Sequence, residues 1–273
     1  MTMITNTTKT EMVLLEVNSQ GVATVTLNNP DKHNAFDDKI IEALTVIFTD
    51  IAAREDIKLM VLASTGKSFS AGADLAWMKR MANYSLDDNL KDATALANML
   101  KALNFLPQPT IAKIQGAAFG GAVGLASCCD IVIAASKASF CLSEVKLGLI
   151  PATIGPYVVN AIGLKAARRY FITAERFFAD KAQQIGLVDE VVALEKLNAE
   201  VDKMVSTLLL NGPQAIRAAK KLALDVAFQP FSDTLLQDTS ERIAHLRVST
   251  EGQEGLTAFF DKRSPAWQIT KDS

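Results

Sequence analysis

The chain has 273 residues, of which 49% are hydrophobic and 21% charged, with a formal net charge of −2 at pH 7. Such a chain can bury a substantial core, and its composition is typical of a soluble globular protein. The near-neutral charge gives no reason to expect binding to nucleic acid or to an anionic membrane surface. The longest apolar runs, such as residues 116–125, contain glycines. They fall short of the roughly 18–20 residues that a membrane-spanning helix needs.

The N-terminal residues MTMITN lack the basic-then-apolar pattern of a secretory signal and resemble the vector-encoded start of a β-galactosidase fusion. We therefore treat residues 1–11 as a vector-derived or disordered leader outside the fold. The cysteines Cys128, Cys129 and Cys141 have no ligand-like spacing to one another or to His33 and His245. We expect reduced, buried thiols, a cytoplasmic location and no metal site.

Strands and helices alternate over the first two thirds of the chain. Runs of β-branched residues predict strands, and apolar side chains at a spacing of three or four residues predict helices. In chain order the predicted elements are a hairpin of strands at 13–17 and 22–27, a helix at 37–52, a strand at 59–63, a helix at 86–106, a strand at 110–114, a helix at 122–129 and a strand at 131–134. This alternation indicates an α/β fold with a mainly parallel sheet over residues 12–195.

Beyond about Glu195 the pattern becomes wholly helical. Residues 197–210, 213–226 and 231–248 each predict an amphipathic helix, with no strand among them. We therefore expect residues 196–273 to form a helical part that packs on the core or on a neighbouring subunit.

The first informative motif is residues 68–78 (SFSAGADLAWM), which follow the strand at 59–63 and open a predicted helix. Small residues let the backbone pass close to a ligand, and the first N–H groups of a helix have no internal acceptor. Free donors here would suit an anion. A simple strand-to-helix turn with Asp74 as the helix cap explains the motif equally well.

The second motif is residues 116–125 (GAAFGGAVGL), again between a strand and a helix. A dinucleotide-binding G-x-G-x-x-G ending at Gly124 would need glycine where Phe119 stands, and no G-x-x-x-x-G-K-[ST] is present. The motif is then a glycine-rich turn that presents N–H groups at a helix N-terminus, or one that allows close helix packing. Two such turns could converge on one oxygen, as stabilising an enolate on a thioester carbonyl requires.

Together with residues 31–36 (DKHNAF), this pair of motifs resembles the crotonase superfamily of enoyl-CoA hydratases and isomerases, over about residues 13–191 and again at 259–262. The resemblance implies a ββα spiral core with a helical C-terminal trimerisation part. It also implies a homotrimer or a hexamer of paired trimers, and an acyl-CoA substrate without a permanently bound cofactor. In this family the backbone N–H groups that correspond to Ala73 and Gly121 form the oxyanion hole.

The same resemblance implies which residues hold coenzyme A. Most lie near the two motifs, and a C-terminal pair often reaches the nucleotide from a neighbouring subunit. The implied residues are Lys32, His33, Ala35, Ala71, Ala73, Asp74, Leu75, Gly121, Phe259 and Lys262. A lysine near phosphates is chemically sensible, and a solvated helix end is the alternative interpretation of Lys262.

Hydratases of the superfamily generally use two glutamates, and by motif the second is Glu144, in residues 140–148 (FCLSEVKLG). A carboxylate beside apolar residues should have a raised pKa, which suits acid–base catalysis near neutrality. A solvated glutamate, or one paired with a lysine such as Lys146, is the alternative without a catalytic role. The first glutamate should stand at position 124, where this chain has Gly124. Because isomerases of the superfamily typically keep only the carboxylate that corresponds to Glu144, this glycine favours isomerisation.

A longer match favours hydration. The central region, including FSAGADLAWMKRM and GAAFGGAVGLASCCDI, most resembles bacterial methylglutaconyl-CoA and isohexenylglutaconyl-CoA hydratases, whose members also carry glycine there. This implies hydration of a branched glutaconyl-CoA in leucine or acyclic terpene catabolism. Lys79 and Arg80 are candidates for binding its distal carboxylate and Tyr84 is a further polar candidate, although such residues on a helix are usually solvated. An enoyl-CoA isomerase, a short-chain hydratase and a non-catalytic CoA-binding homologue are the alternatives.

Overall fold

The structure is a computed structural model that describes residues 12–268. The leader predicted for residues 1–11 lies outside the described residues. The strands are β1 (Val13–Val17), β2 (Val22–Leu27), β3 (Leu59–Ser64), β4 (Thr110–Ile114), β5 (Ala117–Phe119), β6 (Ile131–Ala135), β7 (Ser139–Cys141), β8 (Phe177–Phe178) and β9 (Glu190–Val192). The helices are α1 (Asp38–Ala53), α2 (Leu75–Met81), α3 (Leu86–Asn104), α4 (Gly121–Cys128), α5 (Gly155–Thr173), α6 (Ala179–Gln184), α7 (Leu197–Leu209), α8 (Pro213–Val226), α9 (Asp233–Val248) and α10 (Thr250–Phe260).

The main sheet has six strands in the order β1-β2-β3-β4-β6-β9. β1 and β2 form the predicted antiparallel hairpin, and every later neighbouring pair in this sheet is parallel. Parallel neighbours need a crossover connection. It contains α1 between β2 and β3, α3 between β3 and β4, α4 between β4 and β6, and both α5 and α6 between β6 and β9. The predicted α/β fold with a mainly parallel sheet and a helical C-terminal part is confirmed.

Alternate residues of the sheet strands enter cores on opposite faces. On β3, Met60 and Leu62 belong to the large core that also holds α1, α3 and α4. Leu59 and Val61 belong to a smaller core on the other face, which α7 completes with Leu197 and other apolar residues. Strands buried on both faces lack a polar alternation, because successive side chains point to opposite sides of the sheet. This explains why the segment at 59–63 is continuously apolar.

Several parts of the fold are not among the predicted elements, including the short helix α6 and the short strand β9. A second sheet has the order β5-β7-β8 and consists of strands of only two or three residues, too short to show a period. Helix α5 has a kink at Gly163, where φ is 74°, so its apolar pattern is interrupted. Helix α10 follows α9 directly at Ser249, which caps it by accepting a hydrogen bond from the Gly252 N–H. The other predicted bounds differ from the observed ones by one or two residues.

Helix α8 is attached to the core by two basic side chains. The Arg217 guanidinium donates a hydrogen bond to the Ile57 carbonyl at 2.6 Å. The Lys220 ammonium lies 2.7 Å from an Asp130 carboxylate oxygen, with 8% of its side chain exposed. The same Asp130 oxygen accepts from the N–H and hydroxyl of Thr110 at the start of β4. Within residues 12–268, no helix has both the length and the apolarity to cross a bilayer.

We predict that Lys220→Met lowers the free energy of unfolding by about 1–3 kcal/mol, because a buried charge-assisted hydrogen bond to Asp130 is lost. The matched control is Lys221→Met. Lys221 also pairs with a carboxylate, Asp225, but 71% of its side chain is exposed. A solvated pair of this kind contributes less than about 1 kcal/mol. Urea unfolding of both variants at one protein concentration measures the difference. Equal losses would contradict the structural role of Lys220.

Candidate active site

The first motif is attached to the segment at residues 31–36 by backbone pairing. The Phe36 N–H donates to the Gly72 carbonyl at 2.9 Å, and the Asp74 N–H donates to the Phe36 carbonyl at 3.0 Å. The Ala71 N–H donates to the His33 carbonyl at 2.9 Å. The Gly72 N–H donates to the Ser70 hydroxyl oxygen at 3.1 Å. The donors on either side of position 73 are therefore both paired, as buried backbone N–H groups nearly always are.

The second motif is attached to the first one by a further short bridge. Ser70 and Ala118 are bridge partners, with the Ser70 N–H donating to the Ala117 carbonyl and the Phe119 N–H to the Ser70 carbonyl, each at 3.0 Å. The Gly120 N–H donates to the Cys141 carbonyl at 2.8 Å. The two motifs, which are separate in sequence, therefore lie side by side.

Two N–H groups at this junction have no partner. Among residues 12–268, no acceptor lies within hydrogen-bond reach of the N–H of Ala73 or of Gly121. Gly121 is the first residue of α4, where an N–H has no acceptor in its own helix. Glycine is required here because a Cβ at position 121 would lie 2.4 Å from the Cζ atom of Phe36. Ala73 and Gly121 line the same cavity, which has a volume of about 490 Å³.

The small sheet brings Glu144 to the same place. β5 and β7 are parallel neighbours with Phe119 opposite Cys141, so the carboxyl ends of both strands lie at the same end of the sheet. The chain after β5 becomes the Gly120–Gly121 turn, and the chain after β7 reaches Glu144. The Oε1 atom of Glu144 lies 3.3 Å from the position that a Cβ of Gly120 would occupy. Glu144 also lines the cavity.

The carboxylate of Glu144 is poorly solvated. Its Oε2 atom is buried and has no hydrogen-bond partner among the described residues. Burial raises the pKa of Glu144 above its ordinary value, because the charged form loses solvation. No ion pair joins Glu144 to Lys146 in the described part of the chain, so the structural alternative for this glutamate is not what the structure shows. A carboxylate of this kind is suited to accept a proton from a molecule in the cavity.

Gly124 lies one turn into α4 and is fully enclosed. A Cβ at this position would lie 2.3 Å from the Cγ2 atom and 2.8 Å from the Cβ atom of Ile154. Leu100 of α3 is the next neighbour, at 3.5 Å. The space that a side chain at position 124 would need is therefore filled by Ile154, which itself lines the cavity.

The rest of the cavity is mainly apolar. Phe36, Trp77, Met81, Leu96, Leu149 and Ile154 are among its lining residues. Asp92 is a second carboxylate in its wall and accepts a hydrogen bond from the Trp77 indole N–H at 3.1 Å. Neither Asp92 nor Ile154 is among the sequence-predicted site residues. Asp92 lies on the face of α3 that also carries Leu96 and Leu100, so a charged residue interrupting an apolar helical pattern was the available signal.

The residues implied to hold coenzyme A form two separate groups. The first group surrounds the junction of residues 31–36 with the first motif. In it, the Lys32 ammonium lies 2.9 Å from an Asp74 carboxylate oxygen. Asp74 also caps α2 by accepting from the Ala76 and Trp77 N–H groups. The hydrogen bond from Lys32 lowers the pKa of Asp74. This carboxylate is therefore a structural cap as well as a candidate contact.

The other residues of the first group differ in exposure, and the second group lies on and just after α10. His33, Ala71 and Leu75 are exposed, whereas Ala35 is buried. Phe259, on α10, and Lys262, just after it, are exposed and do not line the cavity. The remaining candidates lie on or next to α2. Arg80 forms an ion pair with Asp38, and neither Lys79, Arg80 nor Tyr84 lines the cavity. The structure thus brings Ala73, Gly121 and Glu144 together in one cavity. Lys79 and Arg80 lie outside it.

A family model described as enoyl-CoA hydratase/isomerase matches residues 17–270. The chain belongs to the enoyl-CoA hydratase/isomerase family. A crystal structure of an enoyl-CoA hydratase from Shewanella pealeana is 47% identical, with a TM-score of 0.90, covering 94% of this chain and 96% of that one. The structure of AtuE from Pseudomonas aeruginosa is 33% identical, with a TM-score of 0.91, covering 95% and 100%. A short-chain-enoyl-CoA hydratase of Clostridium acetobutylicum is 31% identical over 92% of this chain and 95% of its own.

This family membership makes the protein an enzyme of the hydratase/isomerase type that acts on coenzyme A thioesters. The predicted family and the predicted class of enzyme are confirmed.

We predict that Gly124→Ala lowers the free energy of unfolding by at least about 1 kcal/mol, because overpacking against Ile154 outweighs the roughly 1 kcal/mol by which alanine is preferred to glycine inside a helix. Adding Ile154→Ala removes the Cγ2 atom and should restore part of the loss. Gly155→Ala is the control, since its Cβ would meet only Phe171, at 3.9 Å. Unchanged stability of Gly124→Ala in urea unfolding would show that Ile154 moves freely.

We also predict an acidic limb in the pH profile of kcat/KM for hydration. Glu144 accepts a proton only when ionised, so activity should fall as the pH drops through its raised pKa and should be constant above it. The ordinary pKa of a glutamate is about 4.3, and the limb should lie at a higher pH than this. A profile that stays flat down to the ordinary glutamate pKa of about 4.3 would mean that Glu144 is not the base.

Proposed function

We propose that the protein adds water across the 2,3 double bond of an enoyl-CoA thioester. One observation supports this most strongly: two N–H groups without partners and a carboxylate oxygen without a partner line a single apolar cavity. The N–H groups of Ala73 and Gly121 would donate to the thioester oxygen, on which negative charge develops as the enolate forms. Glu144 would act on the water that attacks C3.

The proposed reaction needs only one protein carboxylate. Glu144 takes a proton from water, and the resulting hydroxide adds to C3 while the electron pair of the double bond moves to the enolate oxygen. C2 is then protonated by Glu144 or by a second bound water, which restores the carbonyl. Ile154 fills the space that a side chain at position 124 would need. The proposed reaction therefore uses no second glutamate there.

Isomerisation is the second candidate, and the Gly124–Ile154 contact is the observation that favours it. A single base can take a proton from C2 of a 3-enoyl thioester and return it at C4. The same two N–H groups would stabilise the same kind of enolate. The two reactions differ in whether a water molecule must be held beside C3.

We further propose that the substrate is 3-methylglutaconyl-CoA or a related branched glutaconyl-CoA, as in leucine or acyclic terpene catabolism. The support is the resemblance of the central region to hydratases of this kind, which also carry glycine at position 124. The mainly apolar cavity of about 490 Å³ has room for a branched acyl group. The carboxylate of such a substrate, or a polar residue of the 77–84 segment, would help to hold the attacking water.

The proposed assembly is a trimer or a pair of trimers. Helices α8 and α9 have no buried residue in the single chain. Large apolar side chains on the C-terminal part are exposed, including Phe228, Phe231 and Phe259. Exposed apolar surface of this extent is typical of an interface. In such an assembly Phe259 and Lys262 would reach the nucleotide of a neighbouring subunit.

The proposed function is tested by comparing substrates on the wild type and on Glu144→Gln. We expect hydration of 3-methylglutaconyl-CoA at a higher kcat/KM than that of crotonyl-CoA, with slow isomerisation of a 3-enoyl-CoA. Glu144→Gln keeps the shape but removes the base, so kcat should fall by about 10²–10⁴. Glu195→Gln, at an exposed position, is the control. Ordinary rates on crotonyl-CoA alone would disprove the branched substrate, and a mostly active Glu144→Gln would disprove the mechanism.

A further inference from the structure

Asp92 is a charged residue in the acyl cavity for which the proposed reaction has no use. It lies on α3, and its neighbours in the cavity wall include Ala93, Leu96 and Trp77. The Trp77 indole N–H donates to Asp92 Oδ1 at 3.1 Å, and Trp77 is itself buried. A carboxylate facing an apolar cavity loses solvation unless something in the cavity compensates for it. Its presence suggests a specific contact with the acyl group.

The position of Asp92 rules out a role as a substitute for the missing glutamate. Leu100 of the same helix lies beside Gly124, where that glutamate would stand. Asp92 precedes Leu100 by eight residues, which is roughly 12 Å along a helix that rises 1.5 Å per residue. Asp92 is therefore about two turns away from the level of Gly124. This separation favours a contact of Asp92 with the far end of an acyl group over one with the reacting carbons.

Two charged groups act on Asp92, and they have opposite signs. Asp38, at the start of α1, raises its pKa, and Arg80 of α2 lowers it, but Arg80 is already paired with Asp38. The largest influence is burial, which raises the pKa of Asp92, and the hydrogen bond from Trp77 opposes it. Glu144 is the other carboxylate of the cavity. Among the described residues that line the cavity, none is a lysine or an arginine.

We propose that Asp92 binds the terminal carboxyl group of a dicarboxylic enoyl-CoA, with the two carboxyl groups sharing one proton. This inference rests on the proposed glutaconyl substrate. Two ionised carboxylates side by side in a cavity wall without a basic residue repel each other strongly, and one proton held between them removes that repulsion. The protonated group then donates to the ionised one, and Trp77 keeps the Asp92 side chain in place.

The shared proton has a measurable consequence. In water both carboxyl groups are ionised at neutral pH, since their ordinary pKa values are near 4. Binding therefore takes up one proton whenever the pH is above the pKa of Asp92 in the free enzyme. The Kd then rises by up to about tenfold per pH unit, because one proton is linked to binding. Below that pKa Asp92 already carries the proton, and the Kd is constant.

The test is direct binding of two saturated ligands to the intact protein by titration calorimetry between about pH 6 and 9. Glutaryl-CoA has the terminal carboxyl group, and pentanoyl-CoA has the same chain length without it. For the wild type we expect the ratio of their Kd values to rise with pH, with nearly one proton taken up by glutaryl-CoA alone. The number of protons taken up is measured by repeating the titration in buffers of different ionisation enthalpy, because the observed heat changes in proportion to it.

Asp92→Asn is the informative variant. Its amide can still accept from Trp77 and can donate an N–H to a carboxylate without taking up a proton, so the dependence on pH should disappear. Asp87→Asn, an exposed change on the same helix, should behave as the wild type. A ratio independent of pH in the wild type, or unchanged in Asp92→Asn, would overturn the proposal. Because binding is measured without turnover, failure to hydrate 3-methylglutaconyl-CoA would count against the proposed function and not against this site.

Discussion

The active site depends on backbone pairing between three segments that are far apart in sequence. Residues 33–36, the first motif and the second motif form a short ladder in which Phe36 pairs with the Gly72 carbonyl and the Asp74 N–H. The Gly72 N–H donates to the Ser70 hydroxyl oxygen, and the Gly120 N–H donates to the Cys141 carbonyl of β7. Two donors are left over, on Ala73 and Gly121. An unpaired N–H costs free energy when it is buried, so the ladder is also what keeps these two donors in place without a protein acceptor. The donors are oriented before any substrate arrives, and this favours stabilisation of a developing negative charge.

The acid–base part of the site follows from the small second sheet. Because β5 and β7 are parallel, Glu144 is placed beside the turn that carries Gly121. Desolvation, and not a neighbouring charge, then sets the direction of its pKa shift. The contact between Gly124 and Ile154 completes the arrangement by making the opposite wall apolar. The site is therefore asymmetric, with Glu144 beside the turn that carries Gly121 and Asp92 at another part of the same cavity wall.

Sequence alone predicted the strands and helices in which apolar residues recur at a regular spacing. The hairpin, the buried strands and the amphipathic helices each show a period, and their bounds agreed within a residue or two. The strands of the second sheet are too short for a period, so their pairing, which positions Glu144, could not be predicted. Asp92 and Ile154 were missed because their roles come from contacts between distant segments. The donors at Ala73 and Gly121 are backbone atoms, which no residue type reveals, and only the family resemblance identified them.

Phe36 connects the two halves of the proposed oxyanion hole. Its ring occupies the space where a side chain at position 121 would begin, and its backbone pairs with the residues on either side of Ala73. A larger residue at 121 would displace the ring and, with it, the strand segment that orients the other donor. Substitutions at positions 36, 73 and 121 should therefore be strongly epistatic. In evolution these three positions would change together or remain fixed, whatever acyl group the enzyme accepts.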